Sequence, residues 1–385
     1  MKKNRTDQQP VIGVLQTESP GTPPFTEPEY CRRLCQAGRK HGVRVIVFSP
    51  EWADLASGTV NGYVYGDQRW EPCTTALPSL VYNRCIFSGG SASARTSTAL
   101  AKLLRSRRTA QLGVGLRGKW DIYRSLSTES GLSAILPPTH LYKGKRSLAA
   151  ALSRYGGSLF LKPHAGSKGK SALRIQYRRT AQQRDGSHAP LLHITGRDQR
   201  NRPLTKQFEC TKDGYDWIAA FIGRRTFVMQ PCLSLLTQAG EPFDIRVLMQ
   251  KNDRGRWTMT GTAARIGTPD SITSNLHGGG RAVSVLPFLK REYDPERAER
   301  LMEQLHAYSE RIPPLLEARH GRLMEVGLDY GIDREARMWL LEVNSKPGRT
   351  VFRQTGEREA AVKSVENPIL YARYVLGRHL RRVSP

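Results

Sequence analysis

Leu323-Met324-Glu325-Val326-Gly327-Leu328-Asp329-Tyr330-Gly331-Ile332-Asp333, followed after a turn by Met338-Trp339-Leu340-Leu341-Glu342-Val343-Asn344-Ser345-Lys346-Pro347-Gly348, decides the fold. Two short apolar runs flank the polar turn Asp333 to Arg337, the pattern of a β-hairpin with largely buried strands. Glu342 and Asn344 stand two apart and so project from one face of their strand. Asp329 can sit opposite them across the hairpin. Two carboxylates and an amide oxygen on one face form a hard-oxygen site suited to Mg²⁺ that also holds substrate phosphates. The same residues suit a polar strand end where Asn344 opens a turn over Ser345 to Gly348. The rest of the chain decides between the two.

The chain has 385 residues, 38% of them hydrophobic, and 35 glycines, which suits a globular α/β protein of two or three domains. No apolar run approaches the length of a membrane span. Met1 to Pro10 is a polar tail without a signal-peptide run before Val11, so action in the cytosol is the expectation. Six cysteines, at positions 31, 35, 73, 85, 210 and 232, show no Cys-x-x-Cys and no zinc-type spacing, and are read as reduced thiols. The formal charge of +26 suggests attraction to polyanions. Lys and Arg are spread along the whole chain, however, with no nucleic-acid-binding motif. A generally basic surface is favoured over a nucleic-acid site, and the charge leans toward an acidic acceptor.

Taken in order, Val11 to Gln16 reads as a strand, Glu29 to His41 as a helix ending at Gly42, and Val43 to Phe48 as a second strand. This β-α-β opening predicts a parallel sheet with a right-handed crossover. Leu80 to Ile86 adds a strand and Thr96 to Arg108 a helix. The opening strand lacks Gly-x-Gly-x-x-Gly, so no dinucleotide site is indicated. A second unit begins near Lys119. After the breaker Pro137-Pro138-Thr139 and a helix over Ser147 to Tyr155, Ser158 to Lys162 and Ala172 to Gln176 read as antiparallel strands. The loop between them, with Gly166, Ser167, Gly169 and Ser171, is no P-loop, because no helix follows Gly169-Lys170-Ser171. It can still fold over phosphates, with Lys162 pointing its ammonium at them. An ordinary hairpin with a snorkelling lysine fits equally well.

Arg178 to Pro190 reads as a mobile hairpin tip. Leu191 to Thr195 and Thr205 to Glu209 are strands, Asp213 caps a helix over Asp216 to Gly223, and Thr226 to Gln230 is a strand ended by Pro231. Phe243 to Gln250 and Trp257 to Ile266 form a hairpin around Asn252 to Gly255, with Asp244 and Arg246 on one face. Gly267 to Gly280 is a loop containing Ser274-Asn275-Leu276-His277. Asp294-Pro295 starts a long amphipathic helix, broken near Pro313-Pro314. Ile369 to Arg382 closes the chain as a basic helix.

Lys119, Lys162 with its glycine loop, Gln230-Pro231, Asp244-Ile245-Arg246, Arg265, Ser274 to Gly280, Asp329 and Glu342-Val343-Asn344 occur in one order. That order resembles the ATP-grasp superfamily, in which two α+β lobes clamp ATP. The motifs resemble the branch holding glutathione synthetases and ribosomal-protein glutamate ligases. The whole layout, with Val81-Tyr82-Asn83-Arg84 and Gly118-Lys119-Trp120, resembles the endospore coat-associated YheC/YheD family. The resemblance implies a polar tail (1–10), a parallel-sheet α/β domain (11–117), an ATP-grasp first lobe (118–230), a second lobe (231–356) and a basic C-terminal helix (357–385). It also implies association with the spore coat.

Carried over by position, the resemblance places Lys119 and Lys162 on the nucleotide phosphates, with Gly166, Ser167, Gly169 and Ser171 closing over them. Gln230 would lie beside the adenine at the hinge, where Pro231 removes a backbone donor. Asp244 would accept from the ribose, Arg246 would join the nucleotide site, and Arg265, with Asn275, would serve the transferred phosphoryl group. Asp329, Glu342 and Asn344 would hold two Mg²⁺, or Mn²⁺ in their place. His277 either steers the substrate or bonds backbone.

The chemistry implied is an ATP- and Mg²⁺-dependent carboxylate–amine ligase working through an acyl-phosphate, with small-molecule or peptide substrates. Such transfer needs positioning and charge neutralisation more than a protein nucleophile. The competing expectations are an ATP-grasp kinase and a coat-associated structural protein with a vestigial nucleotide site.

Overall fold

The computed structural model describes residues 9–87, 90–166, 169–179, 190–268 and 279–382, and these build three sheets. In the first, Arg44–Phe48, Val11–Leu15, Leu80–Asn83 and Ala110–Gln111 lie side by side and parallel. Helix Pro28–Lys40 makes the expected crossover, burying Cys31, Leu34, Cys35 and Ala37. Gly42 then takes the positive φ of 67° that a left-handed turn out of a helix requires.

The sheet is mixed rather than purely parallel. Residues 53–76, to which the sequence assigned no element, add Thr59–Gly66 antiparallel beside Arg44–Phe48, then Arg69–Ala76 and Ala53–Asp54. Pro72 pairs with Tyr63 on the outermost strand, where a missing N–H leaves no ladder bond broken.

The second sheet is antiparallel, in the order Pro203–Phe208, Pro190–Arg197, Leu173–Arg179, Ser158–Pro163, Phe227–Pro231, His140–Leu141. Leu159, Leu161, Leu173, Ile175, Ile194 and Met229 form its buried face, packed with helices Lys145–Arg154 and Thr211–Ile222. By the two-residue period of a strand, Phe160, Lys162 and Gln230 project from the opposite face. The second helix starts a turn before the expected Asp213 cap, with Cys210 at the cap position. Likewise, Gly90–Arg105 begins well ahead of Thr96. The anticipated hairpin tip lies largely outside the described residues.

The third sheet runs Arg281–Val283, Trp257–Ile266, Phe243–Lys251, Glu325–Ile332, Met338–Asn344, all antiparallel. Both hairpins stand as read, with their turns at 252–255 and 333–337. Helix Pro295–His320 backs this sheet and runs unbroken through Pro313 and Pro314, contrary to expectation. Each proline removes one intrahelical bond. Ile312, Pro313 and Leu316 are buried, and Ser309 Oγ meets Tyr330 Oη at 3.0 Å, so packing on the sheet holds the helix across the defect.

The C-terminal helix, Arg358–Arg382, is part of the core of the first sheet. Val365, Ile369, Tyr371, Ala372 and Val375 are buried there with Leu34, Tyr82 and Met324.

Candidate active site

A narrow crevice separates the second and third sheets. Thr139, Lys162, Val228 and Gln230 line one side and Leu340, Glu342 and Val343 the other, while Lys119 comes from a helix whose Ile122 and Leu126 are buried in the core of the third sheet. Lys162 enters it from the strand that ends at Pro163, half-buried, and its Nζ donates to the Leu341 carbonyl at 3.2 Å. Burial, reinforced by Lys119, brings the Lys162 ammonium down to about 8, against the opposing pull of Glu342 and Asp329. Lys119, in the first turn of helix Lys119–Ser127, donates to the Gly166 carbonyl at 2.8 Å and lies 3.1 Å from Glu342 Oε1. Gln230 Nε2 donates to Thr139 Oγ1 at 2.8 Å. Thr139 was read only as part of a breaker, and nothing in the local sequence marks it as facing a crevice.

On the third sheet, Asp244 and Arg265 are register partners, as are Arg246 and Asp329, and Asp329 and Glu342. Arg265 donates Nε–H at 2.5 Å and Nη2–H at 2.6 Å to Asp244, and its Nη2 lies 3.1 Å from Asp329. Arg246 closes a second fork on Asp329, at 2.5 and 3.0 Å. Asn344 Nδ2 donates to Asp329 Oδ2 at 3.2 Å. Burial works against the charge of Arg265, but the carboxylates of Asp244 and Asp329 outweigh it and hold its pKa above the ordinary value. Burial would likewise raise Asp329; Arg246 and Arg265 outweigh it and bring the carboxyl down to about 2. Both residues therefore stay charged in a nearly water-free setting.

Of the expected site residues, Lys119, Lys162, Gln230, Asp244, Arg246, Arg265, Asp329, Glu342 and Asn344 belong to this crevice and the sheet face behind it. Four cations there (Lys119, Lys162, Arg246, Arg265) face three carboxylates (Asp244, Asp329, Glu342), an arrangement that leaves room for added negative charge. Asp244, expected at a ribose, is gripped by Arg265. Ser171 is committed elsewhere: it is buried with φ 58°, and its Oγ accepts from Arg225 Nη1 at 2.9 Å. Gly166 and Gly169 take positive φ values of 130° and 70°, which suits glycine at the mouth of a tight loop. Ser167, Asn275 and His277 lie outside the described residues.

The donor chemistry at the hairpin fits a hard divalent cation: two carboxylates from register-paired positions and one amide. Among the described residues there is no group of three or more His, Cys, Asp or Glu side chains placed to hold a metal ion between them. An ion here would therefore be held by Asp329, Glu342 and Asn344 together with oxygens brought by a phosphorylated ligand.

A buried network that sequence reading missed ties this hairpin to the first sheet. Glu325 accepts from Tyr82 Oη at 2.5 Å and from Gln250 Nε2 at 2.9 Å, and pairs with Arg349, which also donates to Tyr82 Oη at 2.9 Å. Tyr82, Gln250 and Arg349 are 243, 75 and 24 residues from Glu325 in sequence, separations that no local pattern reveals.

The YheC/D-like ATP-grasp family model matches residues 109–375. The endospore coat-associated protein YheC of Bacillus subtilis (strain 168) is 26% identical over 338 residues, covering 86% of this chain and 89% of YheC. YheD of the same organism is 25% identical over 328 residues, covering 83% and 68%. Among solved structures, D-cycloserine synthetase DcsG aligns with a TM-score of 0.54 at 12% identity, over 96% of this chain and 99% of its own. The D-alanine-D-alanine ligase from Coxiella burnetii gives 0.50 at 12% identity, over 97% and 98%. No helix among the described residues is long and apolar enough to cross a membrane.

Proposed function

Because the chain belongs to the YheC/D-like ATP-grasp family, we propose that it is an ATP- and Mg²⁺-dependent carboxylate–amine ligase acting through an acyl-phosphate. The observation that carries this is the convergence of Lys119, Lys162, Arg246 and Arg265 on Asp329 and Glu342 around one crevice.

In this reading a substrate carboxylate oxygen attacks the γ-phosphorus of ATP, and the β,γ-bridging oxygen leaves with ADP. An amine nitrogen then attacks the acyl carbon, phosphate departs with the bond electrons, and the amine loses its proton. Lys119 and Lys162 take the nucleotide phosphates, and the adenine sits by Gln230 and Thr139. Arg265, held in place by Asp244, offsets the charge of the phosphoryl group in transfer. A preorganised donor of this kind contributes about 10²–10³ in rate. Asp329, Glu342 and Asn344 would hold Mg²⁺, which would supply charge neutralisation to the nucleotide phosphates. The names of the two relatives, endospore coat-associated proteins, support association of this chain with the spore coat.

The test is incubation of the whole protein with ATP, Mg²⁺ and pooled amino acids or cell extract, with mass detection of ADP and condensed products. An amide product with stoichiometric ADP and phosphate is the expected outcome. A phosphorylated acceptor without condensation turns the reading to a kinase. Absence of any calorimetric binding of Mg²⁺-nucleotide overturns both and leaves a coat-associated structural protein.

A further inference from the structure

At the carboxyl end of the first sheet the chain builds a second polar centre. Strand Val11–Leu15 has Arg44–Phe48 on one side and Leu80–Asn83 on the other, so the order of connection reverses between Val11–Leu15 and Leu80–Asn83. In open parallel sheets, ligands bind outside the carboxyl ends of the strands at such a reversal. Arg84 stands at that point, only 2% exposed. Its Nε and Nη2 close on Glu27 at 3.0–3.2 Å, and its ring partners are Tyr30 and Tyr82. Among the described residues its Nη1 has no hydrogen-bond partner, and Glu325 Oε1 is 3.6 Å away.

A second cation arrives from the candidate active site. Lys346, two residues beyond Asn344, places its half-buried ammonium on the Cys85 carbonyl at 2.5 Å, with the Phe87 ring centre at 5.6 Å. Among the described residues no carboxylate lies within ion-pair distance of it. Glu325 is already used by Tyr82, Gln250 and Arg349. Arg84, Arg349 and Lys346 thus meet two carboxylates, Glu27 and Glu325, which leaves one cation over in a poorly hydrated setting. A buried N–H without an acceptor and a buried charge without a counter-charge are each costly unless a ligand completes them.

A small crevice lined by Tyr82, Asn83, Gly115, Glu325, Ser345 and Lys346 adjoins this centre. The Cβ position of Gly115 is open except for Ser345 Oγ at 3.9 Å. Ile86 and Phe87, 45% and 43% exposed, follow directly in the chain. Two residues of chain span at most about 7 Å, so the Lys346 backbone lies within a small molecule's length of Asn344.

We propose that Lys346, together with Arg84, binds an anionic group of the acceptor substrate, so that the enzyme takes an acid bearing a second carboxylate beside the one it activates. The proposal rests on the ligase reading and specifies its substrate class: an acidic amino acid, free or at the end of a peptide. Lys346 sets specificity and takes no part in phosphoryl transfer.

The test is calorimetry on the full chain with Mg²⁺-ADP present, titrating L-aspartate, L-glutamate, the dipeptide Ala-Glu and, as a neutral control, L-glutamine. At least one dicarboxylate should bind the wild type tenfold or more tighter than L-glutamine. Preference for the dipeptide over the free amino acids would identify a peptide-borne acid, and the reverse a free one. Lys346→Gln should weaken dicarboxylate binding at least tenfold, and Lys346→Arg should restore it to within about threefold. Mg²⁺-ADP affinity should stay unchanged in both variants. Wild-type binding of L-glutamine equal to that of every dicarboxylate overturns the proposal, as does wild-type-like binding by Lys346→Gln or no dicarboxylate binding at all. Failure of Mg²⁺-ADP itself to bind sinks the ligase reading instead, so the two failures are distinguishable.

Discussion

The Arg265 guanidinium closes a fork on Asp244 while its Nη2 sits 3.1 Å from the Asp329 carboxylate. It thereby bridges the pivot of one hairpin and the acidic face of the next. Planar, always-charged guanidinium suits that double role; a lysine point charge cannot reproduce the fork. Arg265→Lys should keep the fold and the melting profile within about 1–2 kcal/mol while lowering turnover about 10²–10³-fold. ADP release followed beside circular-dichroism melting checks this, and unchanged turnover would remove Arg265 from the chemistry.

Glu342→Ala combined with Asn344→Ala takes two of the three oxygen donors from the hairpin. Both side chains are only partly buried at its open end. Mg²⁺-ATP turnover should fall to background while folding is retained, judged by near-ultraviolet dichroism and a single unfolding transition. Full turnover in this double variant would refute the metal assignment.

Lys162 gives a pH signature. Its ammonium, held at about 8, is charged below that value and neutral above it. Nucleotide affinity should therefore decline above about pH 8, and binding near that pH should take up a proton, since phosphate favours the charged form. Calorimetry in buffers of different ionisation enthalpy measures the uptake. Lys162→Arg should flatten the profile. The sign for stability is the opposite: the folded value lies below the unfolded one of about 10.4, so between pH 8 and that value the unfolded chain binds more protons. Without nucleotide, this group makes the fold more stable as pH rises through that window.

Glu325→Ala should be among the most destabilising single changes outside the crevice. It strands Arg349, leaves Arg84 with Glu27 alone, and removes the acceptor of Tyr82 Oη. Breaking a buried pair in this way costs about 3–5 kcal/mol. Urea unfolding monitored by tryptophan fluorescence would report the loss. A cost below about 1 kcal/mol would show that the network contributes little.

Replacing exposed Pro314 by Ala restores an N–H to helix Pro295–His320. The gain should be about 2 kcal/mol, a mid-helix proline costing about 3 and its stiffening of the unfolded chain returning up to about 1. A lower melting temperature would mean that the helix uses the proline ring for packing.

What was legible in the sequence follows from how local its cause is. The Glu325–Asn344 and Phe243–Ile266 hairpins were visible because alternating apolar residues and a polar turn lie within one short window. Thr59–Ala76 was hidden, because Gly62 and Pro72 interrupt its pattern and because Tyr63 packs against Phe25 and Trp52, and Trp70 against Phe25, from elsewhere in the chain. Pro313-Pro314 looked like a helix end, since the packing that carries the helix past them lies on another element. Ser171 was placed with the phosphates by its position in a glycine loop, whereas Arg225, 54 residues on, claims its hydroxyl. The motif order located the crevice; which residue grips which depends on sheet register, as the Asp244–Arg265 fork shows.

The ties between sheets are unequal, and that decides which part moves. Glu325, Arg349 and Tyr82 rivet the first sheet to the third, and the C-terminal helix is shared between them. Across the crevice, by contrast, the described polar ties include the Lys162 link to the Leu341 carbonyl and the Lys119 link to the Gly166 carbonyl, both made by residues that a nucleotide would claim. Admission of the cosubstrate should therefore swing the second sheet alone, like a jaw against a fixed anvil. Among the latches that hold it shut are the ammonium groups that incoming phosphates would pull away.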